Sequence, residues 1–289
     1  MFEFKITKEF EPYVLAQQVA TIHNLKNYSQ MSESEYETVK SFISGKKSFL
    51  ELGCGLGRMS IYCASQIKNH SQFILADSTG PVNRFIRYGW NPTDSFYNDL
   101  NLTRKFAELN NLEKNRIFDL NNEDLLTLSN IDVVMSFGSV GYHFPIEPYM
   151  EKLLKITKSD CVMIFGLSTD AYSGCPYTIE SFKENFEKVS IVKNYHNKKY
   201  FPDYPGTLEY LILENKIENS SFNFRDDVYD VDEKNIIDIF NRYLKRQPVS
   251  EEMIYYLEKI RNESSLEWLD FTIKNCDEAK QIQKLSKGC

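Results

Sequence analysis

Three glycines, Gly53, Gly55 and Gly57, fall within five residues, directly after the strand-like run 48–52 and directly before a helical pattern that begins at Arg58. The whole chain holds only 12 glycines, so this density is local. Glycine is needed where a backbone turns sharply, or where a ligand must approach without a Cβ in its way. A strand that ends in such a loop and passes into a helix opens a parallel sheet with crossover helices. The residues that follow keep the alternation. Strands are predicted at 48–52, 73–76, 116–120, 131–137 and 161–167, with 189–193 and 207–213 as a terminal pair. Helices are predicted between them at 58–67, 100–110, 147–156 and 179–188. The expected fold class is α/β: a doubly wound, mostly parallel seven-stranded sheet with an antiparallel edge.

Helical patterns flank this block. On the N-terminal side, 13–24 and 34–43 read as two helices, with Ser32 or Ser34 and the glutamates that follow as N-cap signals. On the C-terminal side, 215–233 turns polar and acidic before helical periodicity returns at 236–245, 251–261 and 266–276. The expected organisation is an N-terminal helical lid (1–45), a ligand-binding domain (46–216) and a C-terminal helical module (217–289). The segment 78–99 is long for a strand-to-helix connector, and long connectors often carry function.

Composition narrows the function classes. A net charge of −7 with a pI near 5.3 and no basic stripe argues against a nucleic-acid groove. No apolar run reaches the ~18 residues of a membrane span, and the first residues lack the basic-then-apolar pattern of a signal peptide. The six cysteines form no CxxC, which fits reduced thiols in a cytoplasm. His23, His70 and His196 have no partners at metal-ligand spacing, and no metal requirement is expected. The acidic cluster of Asp226, Asp227, Asp230, Asp232 and Glu233 lacks the turn glycine and terminal glutamate of a calcium loop and reads as a solvated linker. The loop 198–205 reads as a connector or as one wall of an acceptor pocket.

The glycine loop itself discriminates between cofactors. A dinucleotide fingerprint places its third glycine at position 58, but that residue is Arg58. The run is instead acid-x-Gly-x-Gly-x-Gly, with Glu51 as the acid and Cys54 between the first two glycines. A carboxylate there suits the ammonium group of S-adenosylmethionine (SAM), directly or through water, and is unhelpful beside a pyrophosphate. Asp77 closes the second strand 20 residues after Gly57, where an acid can accept from both ribose hydroxyls. Asn121 or Asn122, after the third strand, stands where an adenine amino group can be received.

The strand order, the run Glu51 to Gly57 and Asp77 resemble the class I SAM-dependent methyltransferases, whose Rossmann-like sheet covers 46–215 here. Three further segments resemble a group of bacterial sugar O-methyltransferases: Tyr88-Gly89-Trp90, the run Phe96 to Leu100, and the run Ser136 to Pro145. That group commonly carries Trp-Gly-aromatic-His-aromatic-Pro after its fourth strand. This chain has Val140-Gly141-Tyr142-His143-Phe144-Pro145, with valine in place of the tryptophan. The resemblance implies methyl transfer from SAM to a hydroxyl of a sugar or sugar-containing metabolite, releasing S-adenosylhomocysteine (SAH). Another small metabolite or a lipid as acceptor, or a non-catalytic SAM-binding partner subunit, are the alternatives. Ser136, where the run leaves the fourth strand, joins the cofactor contacts, and His143 is the expected general base. Trp90 and Tyr97 offer faces for a pyranose ring, with Asp99 and Tyr142 beside them. The tail run 243–248 faintly resembles a module attached to surface-polysaccharide enzymes, and a homodimer through this tail is the accompanying expectation.

Overall fold

The computed structural model describes residues 2–16, 25–67, 71–79, 99–112, 114–144, 146–167, 179–196 and 208–222; beyond these it describes 199, 235–237, 239–245, 248, 252, 255–256, 259, 266–276 and 278–280. The elements are α1 (Glu11–Ala16), α2 (Leu25–Ile43), β1 (Ser48–Leu52), α3 (Arg58–Gln66), β2 (Gln72–Asp77), α4 (Leu100–Leu109) and β3 (Asn115–Asp119). There follow β4 (Ile131–Ser136), β5 (Ser139–Phe144), α5 (Glu147–Ile156), β6 (Thr157–Leu167), β7 (Phe186–Lys193), β8 (Glu209–Lys216) and α6 (Leu266–Asn275).

Among the described residues seven strands form one sheet in the order β3-β2-β1-β4-β6-β8-β7. β3, β2, β1, β4 and β6 pair in parallel, whereas β8 runs antiparallel to both of its neighbours. The doubly wound, mostly parallel sheet is therefore the one the sequence pattern predicts. Its reversed strand lies one place in from the edge, and β7 is the edge strand. Both faces are covered, which is why the strands read as nearly continuous apolar runs. Phe49, Phe73, Leu75, Val133, Met135 and Ile164 join α2, α3 and α4 in one core. Their neighbours in sequence, Leu50, Ile74, Val134 and Met163, join α5 in the other.

The first core reaches into the N-terminal segment. Phe106 of α4 is fully buried, with the rings of Phe10, Phe4 and Tyr28 at 5.0, 5.9 and 6.3 Å. The Phe4 N–H donates to Ser29 Oγ (3.1 Å), and the Lys5 N–H donates to Asn110 Oδ1 (2.8 Å). Burying one such phenylalanine is worth about 1.5–3 kcal/mol. At the other end, Phe222 stacks on Phe182 at 5.8 Å in the second core, and the Ser221 carbonyl accepts from Asn185 Nδ2 (3.1 Å). Ile236, Phe240, Leu244, Leu269 and Ile273 form a third, separate cluster.

Four local readings are corrected. α2 starts at Leu25, not Ser34. Ser32 and Ser34 are not caps: the Ser32 hydroxyl donates to the Tyr28 carbonyl (2.8 Å) and that of Ser34 to Asn194 Oδ1 (2.9 Å). The helix predicted at 179–188 is a 3-10 turn, Ile179–Glu184, followed by β7, because Phe186 is drawn into sheet pairing opposite Lys216. β6 begins at Thr157, directly where α5 ends, and β5 was not anticipated. The predicted helix 13–24 overlaps α1, and 17–24 lie outside the described residues. So do 80–98 of the long connector, 200–205 of the aromatic loop and the acidic cluster 226–233. No helix of the described residues is long and apolar enough to cross a membrane.

Candidate functional site

The order β2-β1-β4 places the switch point of the winding between β1 and β4, where such sheets bind ligands beyond their carboxyl ends. β1 leads there into the glycine loop. Gly53, Gly55 and Gly57 all lie at positive φ, at 61°, 55° and 78°. A Cβ on Gly53 would sit 1.9 Å from Ser139 Oγ, so this glycine lets the run after β4 close onto the loop. A Cβ on Gly57 would sit 2.1 Å from the Leu75 side chain, where α3 leaves the sheet.

Hydrogen bonds hold the loop from several elements. The Cys54 N–H reaches the Ala76 carbonyl (3.2 Å), and the Gly57 N–H reaches the Cys54 carbonyl (2.8 Å). Asp77 Oδ2 accepts from the Gly55 N–H (2.7 Å), while Oδ1 accepts from the Ser78 N–H (2.7 Å). The Gly55 carbonyl accepts from the Thr103 hydroxyl at 2.6 Å. Thr103 is placed in turn by Asp99, the N-cap of α4: Asp99 Oδ1 accepts from the Asn101 N–H (2.8 Å), and its carbonyl from the Thr103 N–H (3.0 Å). Gly55 is thus fixed on both sides by side chains distant in sequence.

Glu51 approaches the loop from below. It is 4% exposed, and its Oε2 accepts from the N–H (2.9 Å) and hydroxyl (2.6 Å) of Ser60, in the first turn of α3. A carboxylate is well placed there, because the first helical N–H groups lack intrahelical partners and carry the positive end of the helix dipole. Burial pushes the Glu51 carboxyl up to about 7, against the pull of Ser60 and Arg58. Burial, then the negative charges of Asp77 and Glu51, push the Cys54 thiol well up, which keeps it protonated at neutral pH.

Other candidates gather on the same rim. The Ser136 hydroxyl accepts from the Val140 N–H (2.9 Å), which shapes the turn from β4 into β5. Asn121 Nδ2 donates to the Thr79 carbonyl (3.0 Å), tying the end of β3 to the residues after Asp77. Gly141, at φ 90°, brings β5 so near β6 that a Cβ there would meet the Gly166 carbonyl at 2.9 Å. The backbones of Tyr142 and His143 belong to β5; their side chains, and Trp90 and Tyr97 entirely, lie outside the described residues. The structure therefore brings together Glu51, Gly53, Cys54, Gly55, Gly57, Asp77, Asn121 and Ser136. It places the Asp99 carboxylate on its own helix.

Sequence reasoning missed Thr103, Ser139, Arg58 and Glu35. The Arg58 guanidinium is 6% exposed and pairs with Glu35 of α2 and with Ser32 Oγ (3.1 Å). An arginine opening a helix next to a glycine loop was the available signal, and nothing in α2 marks Glu35 as its partner. Among the described residues no group of three or more His, Cys, Asp or Glu side chains is placed to hold a metal ion.

Fold and loop together define an α/β protein whose glycine loop lies at the switch point of its sheet. No family model and no curated protein matches the chain. Solved structures do. The O-methyltransferase TomG from Streptomyces achromogenes, involved in tomaymycin synthesis and solved with SAM, is 11% identical over 73% of this chain and 92% of its own (TM-score 0.46). Precorrin-6y C5,15-methyltransferase from Geobacter metallireducens is 13% identical over 68% and 93% (TM-score 0.42). TYW2 from M. jannaschii, solved with AdoMet, is 16% identical over 65% and 75% (TM-score 0.39).

Proposed function

We propose that this chain is a SAM-dependent methyltransferase acting on a hydroxyl of a sugar or sugar-containing metabolite. The observation that carries the cofactor reading is the loop Gly53–Gly57 at the switch point, with Gly55 pinned to the Asp77 carboxylate. Its residues fit SAM. Three glycines at positive φ form the loop, and the Asp77 carboxylate stands beside it, accepting from the Gly55 and Ser78 N–H groups. Asp77 would hold the ribose hydroxyls, Asn121 the adenine amino group, and the loop backbone with Ser136 the amino-acid end. Glu51 contributes negative charge beneath the ammonium while holding α3 in place. Bound SAM supplies a methyl group already electrophilic on its sulfonium.

The protein's remaining tasks are alignment and proton removal. The hydroxyl oxygen forms a bond to the methyl carbon as the carbon–sulfur bond breaks, and the hydroxyl proton passes to a base. We assign that base to His143 of β5, on the resemblance of its run to the sugar O-methyltransferases and its place just past β4. Trp90, Tyr97 and Tyr142 belong to the acceptor side of the same assignment. Calorimetry with SAM, followed by SAH release with a panel of nucleotide sugars, tests the reading. A chain that binds no SAM ends it, and one that binds SAM yet methylates none of the panel ends the sugar assignment, leaving another small metabolite or a lipid as acceptor, or a non-catalytic partner subunit.

Two expected results belong here. Asp77→Ala weakens SAM binding by about 1–3 kcal/mol, as for a lost charge-assisted hydrogen bond, and frees the Gly55 N–H as well. An unchanged dissociation constant removes Asp77 from the site. The second concerns the organisation into lid, catalytic domain and tail, which we retain with one adjustment: Phe222 packs in the second core, so the tail is best removed after residue 222. That truncation is expected to stay soluble and bind SAM as the full chain does. An insoluble or SAM-blind product shows that the tail belongs to the catalytic unit.

A further inference from the structure

We infer that Glu35 and Arg58 are positioning residues for the cofactor loop, setting the charge on Glu51 so that Glu51 can hold the first turn of α3 against the glycines. The inference rests on the SAM reading of that loop. Three ionisable side chains meet in a space closed to water: Glu35, Glu51 and Arg58 are 5%, 4% and 6% exposed. The guanidinium pairs with Glu35, touches Ser32 Oγ, and lies 5.8 Å from the centre of the Tyr28 ring. The same cation also acts by its charge on Glu51, favouring the ionised carboxylate there. Glu51 spends its Oε2 on both donors of Ser60, and such bonds are roughly twice as strong when the acceptor is ionised.

The other titratable groups around Glu51 are Cys54 in the loop, Cys63 on α3 and Tyr28 on α2. Burial pushes all three up, so each stays neutral around pH 7, and arginine stays charged. Glu51 is the member of the cluster poised to change charge near neutrality. Two opposed effects follow. Glu35→Gln releases the guanidinium from its partner, so Glu51 feels the cation more fully and ionises at lower pH. Glu35→Gln with Arg58→Met removes the cation too, and Glu51 ionises at higher pH than in the parent. The double variant replaces a buried pair by neutral groups of similar volume, a change that folds are known to accept.

Carbon-13 NMR of glutamate-labelled protein, with Glu51 assigned through Glu51→Gln, gives the Glu51 midpoint in the parent and both variants. Calorimetry with SAH between pH 5.5 and 9 gives the affinity profile, and the ligand's own titration is common to all three proteins. The ionised form is the competent one, so affinity is full above the midpoint and lost as pH falls through it, by about tenfold one unit below. The expected result is a midpoint that falls in Glu35→Gln and rises in the double variant, with the SAH profile following both. A purely structural ion pair would lower the melting temperature of the variants and leave the Glu51 midpoint where it was, which overturns the inference. Midpoints that move over a flat SAH profile also overturn it. A parent that binds no SAH at any pH ends the SAM reading and the loop's assigned role, while the midpoints still decide whether the three charges are coupled.

Discussion

Gly55→Val is expected to weaken SAM binding by at least about 100-fold, or roughly 2.7 kcal/mol, with little change in the rest of the fold. Gly55 sits at φ 55°, a conformation in which a β-branched residue is a genuine outlier. Left-handed backbone alone costs an L-residue roughly 1–2 kcal/mol. The loop cannot relax freely to avoid that cost, because the Gly55 N–H is held by Asp77 and its carbonyl by Thr103. On the proposed SAM reading, the valine methyls would stand where the cofactor approaches. Calorimetry, with circular dichroism to confirm the fold, decides the matter. Binding at the parent's affinity means that the cofactor sits elsewhere.

His143→Ala is expected to keep SAM affinity while turnover falls by about 10²–10⁴, the usual worth of general-base assistance. A sugar hydroxyl holds its proton tightly near neutral pH, and an imidazole with an ordinary pKa of about 6.5 is largely neutral and ready to accept it. The acidic limb of the parent's rate profile should disappear with the histidine. SAH formation across pH with the best nucleotide-sugar acceptor measures both effects. Turnover at the parent's rate would sink the assignment. Glu147, buried at the start of α5, would then be tested before Asp99, whose carboxylate caps α4.

The central sheet was legible because both of its faces are buried, leaving short apolar runs with few interruptions. β1 and α5 fall on their predicted bounds. α2 was read nine residues short because its first half is polar in sequence: Ser29 and Ser32 are buried in it, one accepting from the Phe4 N–H and the other bonded back to the helix and to Arg58. The false helix at 179–188 arose from Phe182 and Phe186, whose spacing is that of one helical face. Both enter the second core, the first from a 3-10 turn and the second from the start of a strand. In the site, Glu51 and Asp77 were legible because they sit at fixed offsets from a strand end. Thr103 and Glu35 were not, since they reach the loop across 48 and 23 residues without any local pattern.

The packing of the N-terminus on α4 also sets a schedule for synthesis. Lys5 and Asn110 exchange hydrogen bonds across 105 residues, and Phe4, Phe10 and Tyr28 have Phe106 among their ring partners. At ribosomal speeds of about 5–20 residues per second, roughly 5–20 s separate the emergence of these aromatic groups. During that interval Phe4, Phe10 and Tyr28 lack the surface that buries them. The nascent chain should therefore engage holding chaperones through the segment that carries Phe4, Phe10 and Tyr28, and release should coincide with the appearance of α4.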